Sequence, residues 1–243
     1  MEFNVRTVSG IGFEVAKLFC LHNATVIMAC RDEKKCKSKA DEIRQEVSNS
    51  GNSVGVVDPM LLDLADLASV HRFVQGVLKK KHSRLDYLIN NAGLLAKSGY
   101  RTAQGFEGLL GTMHLGHFAL TKWLEPLLLR LPNGTDNSRP TQPARVINVA
   151  SDAFMLGRFY PTLMTDDYRH DWHGEVTDNC PNVLRFISCC PALACPHTNG
   201  YARAKLANIL HAMELQKHFE AGYLSASHPT CGSDSDATAD SCR

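Results

Sequence analysis

Residues 9–32 read SGIGFEVAKLFCLHNATVIMACRD. Two signals sit side by side in this stretch. Ser9-Gly10-Ile11-Gly12 is a glycine turn, and behind it Ile11, Val15, Leu18 and Phe19 form a helical stripe that runs from Gly10 to His22. Ala24–Arg31 is a short apolar run rich in β-formers, as expected of a parallel strand buried on both faces. A glycine turn that opens a helix suits an anion. The first amides of a helix have no intrahelical acceptor, and the helix dipole favours negative charge beside them.

The same alternation continues outward. Asp32–Asn49 is a charged helix with lysines and glutamates three and four apart. Ser53–Leu64 holds the next strand, and Leu67–Lys81 is a helix with Val70, Phe73, Val74 and Val77 on one face. RLDYLIN (84–90) and RVINVAS (145–151) are further apolar strands, with a long helix over 102–130 between them. Residues 199–219 are helical, and YLSASHP (223–229) reads as the strand that follows. Strands alternating with single helices require crossover connections. The predicted class is therefore α/β: a doubly wound parallel sheet of Rossmann type, in one domain over 1–230. Ligands of such sheets bind at the carboxyl ends of the strands, so the loops after Arg31, Asn90 and Ser151 should line one crevice.

Composition narrows the function classes. A chain of 243 residues with 44% hydrophobic residues can bury a substantial core. A net charge of +1 offers no electrostatic footprint for nucleic acid or an anionic membrane. Lys79-Lys80-Lys81 suits the end of a helix, where cations complement the dipole. No apolar run reaches the roughly 20 residues of a membrane span. With no signal peptide at the N-terminus, the nine cysteines, which show no C-x-x-C pair, read as reduced, buried thiols of a cytoplasmic protein. Residues 152–198 exceed an ordinary connection and read as a lid-like insertion. The His170 and His173 spacing within it matches no standard zinc site, so no metal is expected. The polar, acidic residues 231–243 read as a disordered tail.

The chemistry concentrates in GYARAKLANIL (200–210). Tyr201 and Lys205 are four apart and share a helical face. An ammonium beside a phenol favours the phenolate, and a phenol so tuned can exchange a proton with a substrate oxygen. The pair alone is a weak signal. It gains weight from Ser151 at the end of one strand, Asn90-Asn91-Ala92-Gly93 at the end of another, and the turn at Ser9–Gly12, all on the same predicted edge.

Together SGIGFEVAK, VIMACRD, LLDLADLASV, LINNAG, HLGHFALT, RVINVAS and YARAKLAN resemble the short-chain dehydrogenase/reductase family. They are closest to its retinol-dehydrogenase-like and WW-domain-oxidoreductase-like branch. A sugar-nucleotide epimerase would share the Tyr–Lys spacing, but NNAG and HLGHF favour the dehydrogenases. The resemblance implies hydride transfer between a nicotinamide cofactor and a small apolar alcohol, ketone or aldehyde. It implies that Ser151 binds the substrate oxygen, that Tyr201 is the general acid or base, and that Lys205 tunes Tyr201 and holds the nicotinamide ribose. Ser9, Gly10, Ile11 and Gly12 would meet the pyrophosphate, Asn91, Ala92 and Gly93 would line the cofactor crevice, and Asp63 would lie near the adenine. Arg31 stands directly after the second strand, where a guanidinium suits a ribose 2′-phosphate; this favours NADP over NAD, with Asp32 beside it diluting the charge.

Four departures from the family pattern stand against full activity. Val5 and Arg6 occupy the Thr and first Gly of T-G-x-x-x-G-x-G, and an arginine should resist that tight turn. Only Met1–Val5 precede the turn, which predicts a shortened first strand with weak pairing. Met113 replaces an asparagine of the proton relay. The family's H-P-G reads His228-Pro229-Thr230, which predicts that the last strand is missing. Three readings stay open: an active oxidoreductase, a non-catalytic relative that binds nucleotide or a partner, and an unstable truncated product.

Overall fold

A computed structural model of the chain describes residues 2–6, 10–49, 55–80, 85–94, 100–129, 144–157 and 197–227. Among the described residues, five strands form one parallel sheet: β1 (Glu2–Arg6), β2 (Thr25–Cys30), β3 (Val56–Leu61), β4 (Tyr87–Asn90) and β5 (Arg145–Asn148), in the order β3-β2-β1-β4-β5. Helices α1 (Ile11–Leu21), α2 (Glu33–Ser48) and α3 (Leu67–Lys79) make the crossovers of the first half. A short helix α4 (Gly108–Leu110), a π-helical stretch (Gly111–Leu115) and α5 (Gly116–Leu128) follow β4. A 3₁₀ turn (Asp152–Leu156) and α6 (His197–Ser227) come after β5. This is the doubly wound parallel sheet that the apolar runs predicted.

Strand β2 is buried on both faces of the sheet. Val26, Met28 and Cys30 pack with Phe13, Ala16, Ile43 and Val47 of α1 and α2. Ile27 and Ala29 point the other way, into Phe73, Val77, Leu120 and Leu124 of α3 and α5. Alternate residues of a strand face opposite sides, so a strand that is apolar at every position needs a layer on each. Pro59 is tolerated in β3 because that strand lies at the sheet edge. Asp32 and Asp66 cap α2 and α3, accepting from the amides of Lys35 and Ala68 at 3.0 Å each. Helix α5 comes close to the loop after β3: a Cβ at Gly116 would lie 2.5 Å from the Leu64 carbonyl oxygen.

Several expectations need correction. The first strand is not a stub. All five residues of β1 pair with β2, and Phe3–Val5 also pair with β4. Five residues suffice because β2 and β4 are themselves six and four residues long. Arg6 lies within this strand, in register with Ala29. Extended backbone accepts any side chain, so the steric objection to arginine there does not arise. The proposed strand at 223–229 is instead helical as far as Ser227, the end of α6. A single glycine such as Gly222 costs a helix only about 1 kcal/mol, and no proline interrupts before Pro229. The long helix placed at 102–130 begins only at Gly108, because Gly105 (φ 82) and an Arg101–Glu107 bridge turn the chain before it. Cys30 and Cys36 are joined as a disulfide, so the reading of every cysteine as a reduced thiol fails for this pair, while Cys20 is a free buried thiol. The lid-like insertion beyond Gly157, with His170 and His173, and the tail at 231–243 lie outside the described residues.

Candidate active site

A crevice of about 700 Å³ opens along the carboxyl ends of β2, β4 and β5. Its floor is built by the loops that leave those strands. Arg31 and Asp32 follow β2; Asn91, Ala92, Gly93 and Leu94 follow β4; Val149, Ala150 and Ser151 follow β5. Ile11 reaches it from the start of α1, Thr112 from the π-helical stretch, and Tyr201 and Lys205 from α6. These are the three loops expected to meet at one edge.

The start of α1 carries the glycine turn. Gly10 adopts φ 67 and ψ −151, a conformation open only to glycine, and lies exposed at the helix N-terminus without a side-chain cap. No atom lies within 4 Å of the place where its Cβ would be, so backbone angle rather than space requires glycine here. Gly12 is buried inside the first turn of α1. Ser9 lies outside the described residues.

At the other end, Lys205 and Tyr201 lie one helical turn apart, with Lys205 Nζ 5.5 Å from the Tyr201 ring centre. Nζ donates to the carbonyl oxygen of Val149 at 2.8 Å. Burial pushes the Lys205 ammonium below its ordinary pKa, since the charged form loses water. Ser151 caps the 3₁₀ turn: its hydroxyl accepts from the Ala153 amide at 3.3 Å and donates to the Asp152 carboxylate at 3.0 Å. Behind the floor, Asn90 Nδ2 donates to Thr121 Oγ1 at 3.1 Å and to Asn148 Oδ1 at 2.8 Å, and Asn148 Nδ2 donates to the Asn208 carbonyl at 3.2 Å. Those bonds tie β4, β5, α5 and α6 together beneath the site.

Met113 is fully buried, in a small cluster with Leu109 and Ala204. Its sulfur accepts from the Leu94 amide at 3.4 Å, so it supports the loop after β4 but has no hydroxyl or amide to offer. Asp63 does not line the crevice. Its carboxylate accepts from the Ala65 amide at 3.0 Å, a turn that leads toward α3. Sequence reasoning missed Lys35 and Thr112, which do line it. Lys35 could have been found, because an Asp32 cap places residue 35 in the first turn of α2, over the Arg31 loop. Thr112 carried no such signal, and its hydroxyl is buried without a partner among the described residues.

Residues 7–160 match the family model described as short chain dehydrogenase. The chain belongs to the short-chain dehydrogenases. Within them it stands in the retinol-dehydrogenase-like branch. It is 36% identical over 214 residues to human retinol dehydrogenase 12, covering 87% of this chain and 54% of that one. It is 33% identical over 209 residues to the WW domain-containing oxidoreductase of Danio rerio, covering 86% and 43%. The chain thus spans about half the length of the curated relatives it matches. Among solved structures, an uncharacterised protein from Mycobacterium paratuberculosis superposes with TM-score 0.63 at 32% identity, over 90% of this chain and 63% of that one. An NADP complex of a metagenomic short-chain oxidoreductase shares the fold, with TM-score 0.59 at 16% identity over 91% and 77%. Among the described residues of this short-chain dehydrogenase, no helix is long and apolar enough to cross a membrane.

Members of this family bind nicotinamide cofactors, and the residues present fit one. An uncapped helix start at Gly10 is open to an anion, and the crevice runs from it to both the Arg31 loop and Lys205. Arg31 and Lys35 face the same end of the crevice, and neither side chain has an ion-pair partner among the described residues.

Proposed function

We propose that this chain is an NADP-dependent oxidoreductase acting on a small apolar alcohol, ketone or aldehyde. The carrying observation is that one crevice holds Tyr201, Lys205 and Ser151 at one end and the paired cations Arg31 and Lys35 at the other. The dinucleotide, when bound, supplies the hydride donor or acceptor. The protein's own groups do the rest. Tyr201 gives its phenolic proton to a carbonyl oxygen, or takes one from an alcohol. Lys205, tied to Val149, places a cation beside that phenol. Ser151 offers its hydroxyl to the same substrate oxygen, which requires it to leave Asp152. The backbone amides at the start of α1 hold the pyrophosphate, with Ile11 and the Asn91–Gly93 loop as walls. Arg31 and Lys35 hold the ribose 2′-phosphate, which NAD lacks.

A second reading, a nucleotide-binding relative without turnover, draws on Met113 and on the Ser151–Asp152 bond. One experiment separates the two. The melting midpoint is measured with NADPH and with NADH, and turnover is then assayed on a panel of apolar carbonyls. A larger shift with NADPH together with turnover is expected. A shift without turnover selects the second reading, and no shift with either dinucleotide sinks both.

A further inference from the structure

Two sulfurs bracket the cationic end of the crevice. Cys30 is the last residue of β2, and Cys36 lies in the first turn of α2. They are bonded across a separation of six residues, with Cα atoms 5.7 Å apart, within the normal span of a disulfide. Both are buried, at 3% and 1% exposure. Between them run Arg31, Asp32 and Lys35, three walls of the crevice, and Cys30 is itself a fourth.

We propose that Cys30 and Cys36 form a redox-modifiable pair that sets how tightly this end of the crevice holds a 2′-phosphate. The inference rests on the cofactor reading given above. The bond ties the end of a sheet strand to the helix that carries Lys35, with the Arg31 loop held between. A ligand that needs Arg31 and Lys35 together binds better when that loop is already ordered.

The open state also has a defined place in the structure. Cys36 Sγ lies 3.2 Å from the Met28 carbonyl oxygen, so a free thiol there has an acceptor. The α2 cap does not depend on the bond: Lys35 N still donates to Asp32 Oδ1 at 3.0 Å, and Cys36 N to the Asp32 carbonyl at 2.9 Å. Opening therefore releases the loop from the strand without unwinding the helix.

The chemistry is exchange with a small-molecule disulfide. One cysteine thiolate attacks it and expels a thiolate, forming a mixed disulfide. The second cysteine then attacks the mixed disulfide and expels the other. Two protein S–H bonds are replaced by one S–S bond. The small disulfide is reduced to two thiols, and these take up the two protons. A small thiol runs the sequence in reverse.

The test uses the full chain. After treatment with oxidised glutathione, the protein is alkylated under denaturing conditions and mapped by mass spectrometry. Cys30 and Cys36 should resist alkylation until dithiothreitol is added; labelling of both after oxidation overturns the pair. NADPH affinity is then measured calorimetrically on oxidised and reduced wild type. Reduction should weaken binding by about threefold to tenfold, the scale of lost preorganisation. Cys36→Ala should bind like the reduced protein in both conditions. Because wild type is read in both states, the result does not depend on the variant folding. Equal affinity in the two states overturns the coupling and leaves the cofactor site standing. No binding in either state, with a cooperative melt retained, overturns the cofactor reading and this inference together.

Discussion

Lys205 on α6 donates to the carbonyl oxygen of Val149, immediately after β5, at 2.8 Å. One bond thus fastens the helix bearing Tyr201 to the loop bearing Ser151. Lys205 is buried, so the bond also replaces water for a cation that has lost most of its own. Structural anchoring and chemistry meet in this side chain.

Tyr201→Phe should lower turnover by about 10²–10⁴-fold, the usual worth of a positioned acid or base. Because the hydroxyl makes no bond that holds the fold among the described residues, the melting shift with NADPH should persist. Retained turnover would remove Tyr201 from the proposed mechanism.

Arg31→Glu should exchange the cofactor preference. A charge-assisted bond is worth about 1.5–3 kcal/mol, so NADPH affinity should fall by about tenfold or more. The carboxylate can accept from a ribose 2′-hydroxyl, so NADH should bind no worse than before. Calorimetric titration with both dinucleotides decides it. An unchanged ratio would place Arg31 outside the site.

Gly10→Ala forces a Cβ onto a backbone with φ 67. We expect a loss of about 1–3 kcal/mol in unfolding free energy, read from urea midpoints, or an equivalent rearrangement of the turn. Either outcome should also weaken dinucleotide binding. A variant as stable as wild type that binds as tightly would show that the glycine is not required there.

His211 gives a pH signature. Its ring lies against Phe118 and His114, with centres 5.0 and 5.8 Å away, and its Nδ1 has no partner among the described residues. Burial first, and the His114 charge second, push its pKa down from 6.5 to about 4. Burial lowers His114 in the same direction. Between those pH values the unfolded chain binds more protons than the folded one, so stability rises with pH across the window and falls as pH drops from 6.5 toward 4. His211→Leu should flatten that dependence, as followed by urea midpoints at pH 7 and pH 5. An equal fall in variant and wild type would assign the acid sensitivity elsewhere.

Much of this structure could be read directly from the chain, for physical reasons. Strands β2 and β4 announce themselves because a strand covered on both faces is apolar along nearly its whole length. The crevice follows from topology, since the carboxyl ends of parallel strands lie on one edge. What escaped was decided by neighbours in space. Nothing in the spacing of Cys30 and Cys36 marks a cross-link, because the pairing depends on a strand-to-helix turn that doubles the chain back. Tyr223–Ser227 continues α6 because Leu224 and Ala226 are good helix formers and no proline stands before 229. The objection to arginine at Arg6 came from the shape of a turn, whereas the hydrogen-bond ladder with β2 holds its backbone in the strand.

The two-sided burial of β2 has a further consequence. In a sheet with one wet face, polarity tells the strand which residues turn inward, and a slip of one residue is punished at once. A run such as TVIMAC has no such parity: odd and even positions are equally greasy. Its phase must be imposed from the two ends. Before it stands Asn23, in the left-handed conformation at φ 59. After it stand Cys30, bonded to Cys36, and the charged pair Arg31-Asp32. The punctuation of this strand, rather than its hydrophobic body, decides that Arg31 arrives at the crevice.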